Sequence, residues 1–368
     1  MNVILVAGAA TGGVADVFQR VIAELQGRGR HIALVRPMRG RTAAGAALGA
    51  ARHERERMRA AEAIHLEFGS NDLGAFWFAL CAVLIRRDCV VVAHDYPKLI
   101  NTPTAGLVPA SSRWLRALAL RVLRPLLDSQ LRRLLLRRAG LVLVFGDEAR
   151  AGWKQAGVRR IQVITHGSDP ASDGAPPPSM GDSILFAGYV GPSKGIDDLL
   201  QAWAAIEEEV ELPLVFAGAL HEPWFTETLG RYERLAKPPS VLGAVPDPRA
   251  FQQLIERAAV VVLPYTYSSP ASGVLIRAMA AGRAVIVTPV PATRSAVEGG
   301  RNAIVVPFRS PTALANALRR LADDPRERDR LGEAAARTAS EIFSWKRQVD
   351  QLEAAYQAVS ARAKRSVV

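Results

Sequence analysis

Two glycine-containing turns in this sequence could hold a phosphate group. The first is Ala10-Thr11-Gly12-Gly13, which follows an apolar run, and the second is Gly188–Gly195 (GYVGPSKG), where Lys194 precedes a predicted helix. Glycines after a strand let backbone N–H groups and a helix N-terminus approach an anion. A lysine in such a turn can neutralise a diphosphate. Each turn alone is equally compatible with a plain strand–helix connection or a solvated lysine.

A third candidate lies in the segment 265–282 (YTYSSPASGVLIRAMAAG), which joins an apolar run to a helix of small residues. Ser272, Gly273 and Val274 stand at the predicted helix start, where backbone N–H groups lack intrahelical partners. The same residues would suit a tightly packed helix without a ligand. The turn at Gly188–Gly195 and the segment 265–282 both lie in the second half of the chain, and two anion-binding turns together favour a nucleotide-diphosphate site there. The spacing in the first turn is not GxGxxG and no acidic residue ends the next strand, which disfavours a nicotinamide site.

Histidines and cysteines add one further candidate. His94, in AHDYP, ends an apolar run, although a histidine in that position is more often structural. His166, in THGSD, falls at a predicted domain junction and is interpreted as a hinge residue. Cys81 and Cys89 lack a CxxC pattern and nearby histidines, so no metal site is predicted. Their apolar surroundings favour a reducing cytoplasm.

The most basic stretch, 111–138, holds eight arginines and one acidic residue, Asp128. As a helix it would place arginines on one face and leucines on the other. The residues expected to face a membrane or an acceptor are Arg113, Trp114, Arg116, Arg121 and Arg124. A basic amphipathic helix is typical of docking on an anionic membrane surface, and a solvated helix covering a sheet is the alternative. No nucleic-acid motif accompanies it, so no nucleic-acid partner is expected.

The elements that must position these residues follow an α/β pattern. At 368 residues, with 49% apolar and 22% charged residues, the chain is predicted to form two globular α/β domains. Residues 1–180 carry 25 Lys and Arg against 14 Asp and Glu, whereas residues 181–368 carry 22 against 21. The first half is therefore expected to meet something anionic. No signal peptide is expected at the start of the chain. The apolar run 75–85 is too short for a membrane span and is predicted to be a buried helix.

Apolar strands alternate with helices in both halves, and the Pro- and Gly-rich segment 167–181 predicts a boundary without regular structure. We expect a Rossmann-like acceptor-binding domain over 1–166, a linker over 167–181 and a nucleotide-sugar-binding Rossmann-like domain over 182–344. The helix in 345–368 is expected to pack back on the first domain. Two such domains would face each other across a ligand cleft.

The serial order of these pieces resembles a known family. FAGYVGPSKGIDDLLQAW, LVFAG, LGAVPD and AAVVVLPYTYSSPASGVLIRAMAAGRAVIVT are similar to the donor domain of GT-B glycosyltransferases of the family-four (group 1) retaining type. GGVADVFQRVIAELQGRGRHIALV, VVAHDYP and VFGDEARAGWKQAGVRRIQVITHGSD are similar to the other domain. The resemblance covers nearly the whole chain. It implies a nucleotide-sugar donor, no cofactor and no obligatory metal, and the sequence has no D-x-D motif.

The resemblance also implies roles for single residues. Lys194 would bind the donor diphosphate, and His94 would line the sugar site, so both are predicted catalytic residues. The predicted donor-binding residues are Gly12, Gly13, Gly188, Ser269, Ser272, Gly273, Val274 and Arg277.

Three positions depart from the family pattern. Ser269 and Arg277 stand where the family usually has glutamates, and Tyr189 replaces a basic residue beside Gly188. Because arginine accepts no hydrogen bond, it cannot replace the carboxylate that receives ribose hydroxyls.

The resulting expectation is a retaining sugar transferase on the inner face of the cell membrane. Its acceptor would be lipid-linked or a saccharide, in polysaccharide or glycolipid biosynthesis. A non-catalytic GT-B partner of another transferase is the alternative, and a nucleotide-sugar epimerase is a further one. The sequence does not specify the sugar, the base, the acceptor or the oligomeric state.

Overall fold

A computed structural model describes residues 2–7, 13–35, 43–68, 73–86, 88–94, 124–267 and 271–365. The chain divides into two compact units, which are considered separately. The first unit comprises Met1–Thr165 together with Trp345–Val368, and the second comprises His166–Ser344. Each unit is an α/β layer structure built on a parallel sheet.

The first unit is centred on a parallel sheet with the strand order β2-β1-β3-β4-β5-β6. Its strands are β1 (Asn2–Ala7), β2 (His31–Val35), β3 (Ala63–Phe68), β4 (Cys89–Ala93), β5 (Leu141–Val144) and β6 (Ile161–Val163). The central strand β3 lies between β1 and β4, with Glu67 opposite Ala7 on one side and Val92 on the other. Strands β4 and β5 are apolar and almost wholly buried, as a sheet covered on both faces requires.

Helices cover both faces of this sheet. They are α1 (Gly13–Gly27), α2 (Ala43–His53), α3 (Arg55–Ala60), α4 (Leu73–Ile85), α5 (Arg124–Arg138), α6 (Asp147–Gln155) and, from the end of the chain, α14 (Trp345–Arg365). Helix α4 is apolar all round and packs against α2, with Phe76 and Phe78 fully buried. Each such ring contributes about 1.5–3 kcal/mol through its burial. The prediction that the run 75–85 is a buried helix is therefore confirmed.

The last helix, α14, packs against α1, β3 and β4 of the first unit. Its carboxylates bind basic residues that follow α1: Arg28 contacts Asp350 at 2.6 Å and Glu353 at 3.0 Å, and Arg30 contacts Glu353 at 2.6 Å. The same helix also contributes Tyr356, which is fully buried. The helix therefore carries both a surface ion-pair cluster and a core residue of the first unit.

The second unit is centred on a second parallel sheet, with the order β12-β11-β10-β7-β8-β9. Its strands are β7 (Ile184–Ala187), β8 (Leu214–Ala217), β9 (Ser240–Gly243), β10 (Val260–Leu263), β11 (Ala284–Val287) and β12 (Ile304–Val305). Its helices are α7 (Ile196–Ala204), α8 (Trp224–Gly230), α9 (Pro248–Arg257), α10 (Gly273–Ala280), α11 (Pro291–Arg294), α12 (Pro311–Asp323) and α13 (Pro325–Ile342). Strands β7, β10 and β11 are completely buried and form its core.

The Pro- and Gly-rich segment packs on the second unit. Ser172 hydrogen-bonds to Glu256 at 3.0 Å, and the backbone N–H of Ser179 donates to Asp329 at 2.8 Å. The prediction that this segment has no regular structure is wrong at Pro178–Met180, which forms a 3₁₀ turn. Arg328 donates to the carbonyl oxygen of Pro178 at 3.0 Å and so holds the turn against α13.

Candidate functional site

The turn after β7 brings Lys194 to the carboxyl end of the second sheet. Pro192–Lys194 form a 3₁₀ turn, and Gly195, at φ +68°, starts helix α7. A Cβ at position 195 would overlap the carbonyl oxygen of Pro264, which follows β10. Glycine is therefore required both by the left-handed backbone and by the close approach of the two strand ends.

Lys194 lies over the ring of Tyr265, with its Nζ 4.1 Å from the ring centroid. The two segments are also joined through their backbones, since the N–H groups of Thr266 and Tyr267 donate to the carbonyl oxygen of Ser193 at 3.1 and 3.2 Å. Burial lowers the pKa of Lys194, while the contact with the aromatic face favours its charged form. Burial also raises the pKa of Tyr265 to about 12, so the ring stays neutral.

The start of helix α10 lies next to this lysine. The Tyr265 hydroxyl is 3.4 Å from Ser272 Oγ, which caps the helix by accepting from the backbone N–H of Leu275 at 3.2 Å. The N–H groups of Gly273 and Val274 have no hydrogen-bond partner within the described residues. A Cβ built on Gly273 would meet no described atom within 4 Å.

The turn after β7 also contacts the helix start directly. Gly188 has φ +105°, and a Cβ built there would lie 3.2 Å from Val274 Cγ2. The structure thus brings together five of the predicted donor-site residues, namely Gly188, Lys194, Ser272, Gly273 and Val274. A half-buried cation, free backbone N–H groups and a helix N-terminus are the elements of an anion-binding site. We refer to these five residues as the anion cradle.

The positions where the family pattern has glutamates are less fully described. Ser269 lies outside the described residues. Arg277 lies in α10, one turn after Gly273, and its guanidinium is 6.0 Å from the ring centroid of Phe251 in α9. The structure therefore places the cation of Arg277 against an aromatic face between two helices.

His94, the predicted catalytic residue of the first unit, belongs to a buried polar network. It follows β4, and its Nε2 lies 2.6 Å from Glu67 Oε1 near the end of β3. The other oxygen of Glu67 lies 2.8 Å from Nε2 of His65, whose Nδ1 lies 2.6 Å from the hydroxyl of Tyr356 in α14. His65 and Tyr356 are fully buried and Glu67 is 2% exposed. We call these four residues the histidine–glutamate network.

The carboxyl group of this network is held ionised. Burial alone would raise the pKa of Glu67, but the hydrogen bonds from His65 and His94, together with the electrostatic attraction of these two rings, lower it to about 2. The ring of His94 packs against Phe145, with centroids 5.0 Å apart and planes at 32°. His94 is therefore held on one edge by a carboxylate and on one face by an aromatic ring.

Sequence reasoning found only His94 in this network. Strand β3 (AIHLEF) was not predicted, and it carries both His65 and Glu67. Residues two apart in a strand point to the same face, so two polar residues in alternation within an apolar run were the available signal. Tyr356 gave no signal, because its role depends on where the last helix packs.

The first glycine turn and part of the basic stretch are not described. Gly12 and the predicted membrane residues Arg113, Trp114, Arg116 and Arg121 lie outside the described residues. Gly13 is the first residue of α1, and Arg124 is the first residue of α5. These residues remain predictions.

The described end of the basic stretch borders a large cavity. It has a volume of about 880 Å³ and lies where α5 and α6 end, beside the start of β6. The charged residues that line it are all basic: Arg137, Arg138, Lys154, Arg159 and Arg160. None of the five has an ion-pair partner within the described residues. We call this concavity the basic cavity.

Two kinds of feature are absent from the described part of the chain. None of its helices has both the length and the hydropathy to cross a bilayer. Nor do its His, Cys, Asp and Glu side chains form any group of three or more that could hold a metal ion.

Comparison with known proteins relates the second unit to a family. Residues 181–324 match the family model described as "Glycosyl transferases group 1". A curated relative, the D-inositol 3-phosphate glycosyltransferase of Streptomyces avermitilis, is 36% identical over 169 residues. That match covers 44% of this chain and 36% of the relative, so it spans little more than a third of that protein's length.

Solved structures resemble the whole chain. Anabaena HepE in complex with UDP has a TM-score of 0.69 at 16% identity, covering 97% of this chain and 100% of HepE. Sucrose-phosphate synthase from Thermosynechococcus elongatus has a TM-score of 0.71 at 18% identity, covering 98% of this chain and 99% of the synthase. These likenesses confirm the predicted fold class, with two Rossmann-like units built on parallel sheets. The chain therefore has the GT-B fold of these structures, and its residues 181–324 match the group 1 glycosyltransferase family model.

Proposed function

We propose that this chain transfers a sugar from a nucleotide-sugar donor to an acceptor hydroxyl, with retention of anomeric configuration. The observation that carries the proposal is the anion cradle, because it lies within the segment that matches group 1 glycosyltransferases. Its partly desolvated lysine has no hydrogen-bond acceptor within the described residues, and the N–H groups of Gly273 and Val274 are equally free. A bound diphosphate would satisfy all of these donors.

The cradle can also stabilise the leaving group. As the bond from the anomeric carbon to the diphosphate breaks, negative charge grows on the diphosphate oxygens. Lys194 is held over Tyr265 and the start of α10 is capped by Ser272, so these groups would need little rearrangement when that charge develops. The protein thereby favours the transition state over the intact donor. In this proposal no step requires a metal ion or a cofactor.

His94 is proposed to position the reacting sugar. Its Nε2 is engaged by Glu67, and its Nδ1 forms no hydrogen bond to a described residue. Nδ1 is therefore available to a hydroxyl of the transferred sugar or to the leaving group. A positioned polar group of this kind stabilises an oxocarbenium-like transition state.

The acceptor is proposed to be lipid-linked, with the first unit bound at the cytoplasmic face of a membrane. The basic cavity supports this, because five cations without ion-pair partners face one concave surface. Each basic residue close to an anionic leaflet contributes about 1 kcal/mol to binding. Such a protein would act in the synthesis of a polysaccharide or a glycolipid.

Membrane binding can be tested by cosedimentation with phosphatidylcholine vesicles prepared with and without phosphatidylglycerol. Arg160→Glu should weaken binding to the anionic vesicles, whereas Arg326→Glu, on the exposed start of α13, should not. Equal binding by both variants, or no difference between the two vesicle compositions, would argue against membrane docking through this cavity.

The transfer itself is tested in two stages with the purified chain. Calorimetry and thermal-shift measurements against UDP-, GDP-, dTDP- and ADP-sugars should identify one nucleotide that binds one-to-one and raises the melting temperature. Turnover is then measured with that donor and lipid acceptors, and the anomeric configuration of the product is read by NMR. An inverted product would contradict retention, and failure of every donor to bind a folded sample would contradict the proposal.

A second candidate function is supported by two positions. Ser269 and Arg277 replace both glutamates of the family pattern, and Arg277 packs against Phe251. Loss of both carboxylates favours a chain that binds a nucleotide but serves as a non-catalytic partner of another transferase. Specific donor binding without turnover, in the presence of suitable acceptors, would favour this alternative.

A further inference from the structure

We propose that Glu67 is a positioning residue that fixes the tautomer of His94, and that His65 and Tyr356 hold Glu67 in place. The network leaves Nδ1 of His94 as the only ring nitrogen that can meet a ligand. The role of His94 Nδ1 in the reaction rests on the proposed sugar transfer. The protonation pattern of the network does not depend on that proposal.

The direction of each hydrogen bond follows from the chemistry of the groups. An ionised carboxylate only accepts hydrogen bonds. Both oxygens of Glu67 lie within hydrogen-bond distance of a histidine Nε2, at 2.6 Å for His94 and 2.8 Å for His65. Both histidines must therefore carry a proton on Nε2.

The far end of the network agrees with this direction. A neutral His65 that is protonated on Nε2 has a lone pair on Nδ1, which lies 2.6 Å from the Tyr356 hydroxyl. Tyrosine is a donor in that case, and its proton has an acceptor. Every polar atom from Tyr356 to Glu67 is then satisfied by a single pattern, Tyr356 to His65 to Glu67, as burial requires.

Burial makes this pattern resistant to change. His65, Glu67 and Tyr356 are at most 2% exposed, and only His94 reaches the surface, with 10% of its side chain exposed. Water is therefore poorly placed to replace a lost partner inside the network. The exposed edge of His94 is the point where the network can meet a ligand.

The last helix is part of this arrangement. Tyr356 belongs to α14, which is separated in the chain from β3 by the whole second unit. Arg28 and Arg30 bind Asp350 and Glu353 on the same helix and so hold Tyr356 in register with His65. The carboxyl-terminal helix thereby completes the surroundings of a histidine that sequence analysis assigns to catalysis.

Glu67→Gln should change the tautomer of one histidine in the network. A glutamine offers one acceptor oxygen and one donor NH₂, so it can accept from only one histidine and must donate to the other. One histidine must then lose its Nε2 proton. His65 is held by the buried Tyr356 hydroxyl, which needs the Nδ1 lone pair as its acceptor. We therefore expect His94 to switch to the Nδ1-protonated tautomer.

The first measurement is ¹⁵N NMR of the six histidines in the full chain, with the two signals assigned through His65→Gln and His94→Gln. The wild-type protein should show Nε2 protonation for both His65 and His94, and Glu67→Gln should move the proton of His94 to Nδ1. This arm needs no substrate. An Nδ1-protonated His94 in the wild-type protein would overturn the proposal even if the variant does not fold.

The second measurement uses the donor and acceptor identified by the screen. Glu67→Gln should lower kcat by about 10- to 100-fold while the Kd for the nucleotide stays within twofold, since the cradle belongs to the other unit. The matched control is Glu54→Gln, because that carboxylate forms ion pairs with His53 and Arg57, its neighbours in the chain. An unchanged kcat in Glu67→Gln, with the tautomers as expected, would remove Glu67 from catalysis. If the chain proves to have no transferase activity, the NMR arm still decides whether Glu67 positions His94.

Discussion

Replacing Lys194 by alanine tests the anion cradle most directly. In the free protein the Lys194 Nζ lies 4.1 Å from the ring centroid of Tyr265. A cation–π contact of this kind contributes about 0.5–1 kcal/mol, and part of that is offset because alanine removes a cation that burial disfavours. The free energy of unfolding should therefore fall by less than about 1 kcal/mol.

The effect on a bound nucleotide diphosphate should be larger. Hydrogen bonds to charged groups contribute about 1.5–3 kcal/mol, and each 1.4 kcal/mol is a factor of ten in Kd. Lys194→Ala should accordingly weaken binding of the nucleoside diphosphate by about 10- to 100-fold. Lys194→Met, which keeps the packing on Tyr265 but not the charge, should weaken it to the same extent.

Isothermal titration calorimetry with the nucleoside diphosphate, alongside urea unfolding of each variant, gives both quantities. Lys346→Ala is the control, because that lysine is 84% exposed and its ion pair with Asp350 lies on the surface of the first unit. A Kd for Lys194→Ala within twofold of the wild-type value would refute the assignment of Lys194 to the diphosphate site. A decrease in the free energy of diphosphate binding that equals the decrease in the free energy of unfolding would also refute this assignment.

The remaining predictions concern Gly195 in the turn before α7, Tyr189 at the position where the family pattern has a basic residue, and Glu67 in the histidine–glutamate network. Gly195→Ala should lower the free energy of unfolding of the second unit by more than about 2 kcal/mol in urea, because the φ of Gly195 is +68° and a Cβ would overlap the Pro264 carbonyl oxygen. The control is Gly174→Ala, which also has a positive φ but has open space around it. That substitution should cost about 1 kcal/mol. Tyr189→Arg should tighten diphosphate binding by about 3- to 30-fold in the same calorimetric assay, because it restores a cation beside Gly188, and weaker binding would show that position 189 does not face the cradle. Glu67 has a folded-state pKa of about 2, below its ordinary 4.5, so it contributes stability above pH 4.5 that is lost as the pH falls toward 2. The unfolding free energy of Glu67→Gln should thus depend less on pH than that of the wild-type protein over this range, and parallel curves for the two proteins would contradict the low pKa.

Much of the fold follows from local patterns in the sequence. The predicted alternation of apolar strands with helices agrees with the structure in both units, because apolar runs and flanking Gly, Pro and Asp residues define these elements locally. Strand β3 was missed for a physical reason. Its apolar residues alternate with His65 and Glu67, and a strand that buries a histidine and a carboxylate violates the rule that interior strands are apolar.

The two candidate sites also differ in how far local sequence patterns predict them. The cradle was predictable, because the glycines, Lys194 and the small residues at the start of α10 occur in compact motifs. What no motif conveyed is that Tyr265 lies beneath the lysine, since that contact requires two strand ends to meet. Beyond His94, the alternation of His65 and Glu67 is the signal that the sequence offers for the histidine–glutamate network, and it does not show that β3, β4 and a helix late in the chain meet there.

Three basic side chains of the second unit differ in whether the fold itself supplies acceptors for their hydrogen-bond donors. Arg283 is 3% exposed and donates to the carbonyl oxygens of Ala281, Ala258 and Pro176. Arg328 is 5% exposed and donates to backbone carbonyl oxygens around Pro178 and Leu321. Both arginines are satisfied by the fold itself and have structural roles. Lys194 is half-buried, and its ammonium group lies over an aromatic face without a hydrogen-bond acceptor among the described residues, so its donors are left for a ligand. A cation held out of water without an acceptor costs stability, and binding an anion would recover that cost.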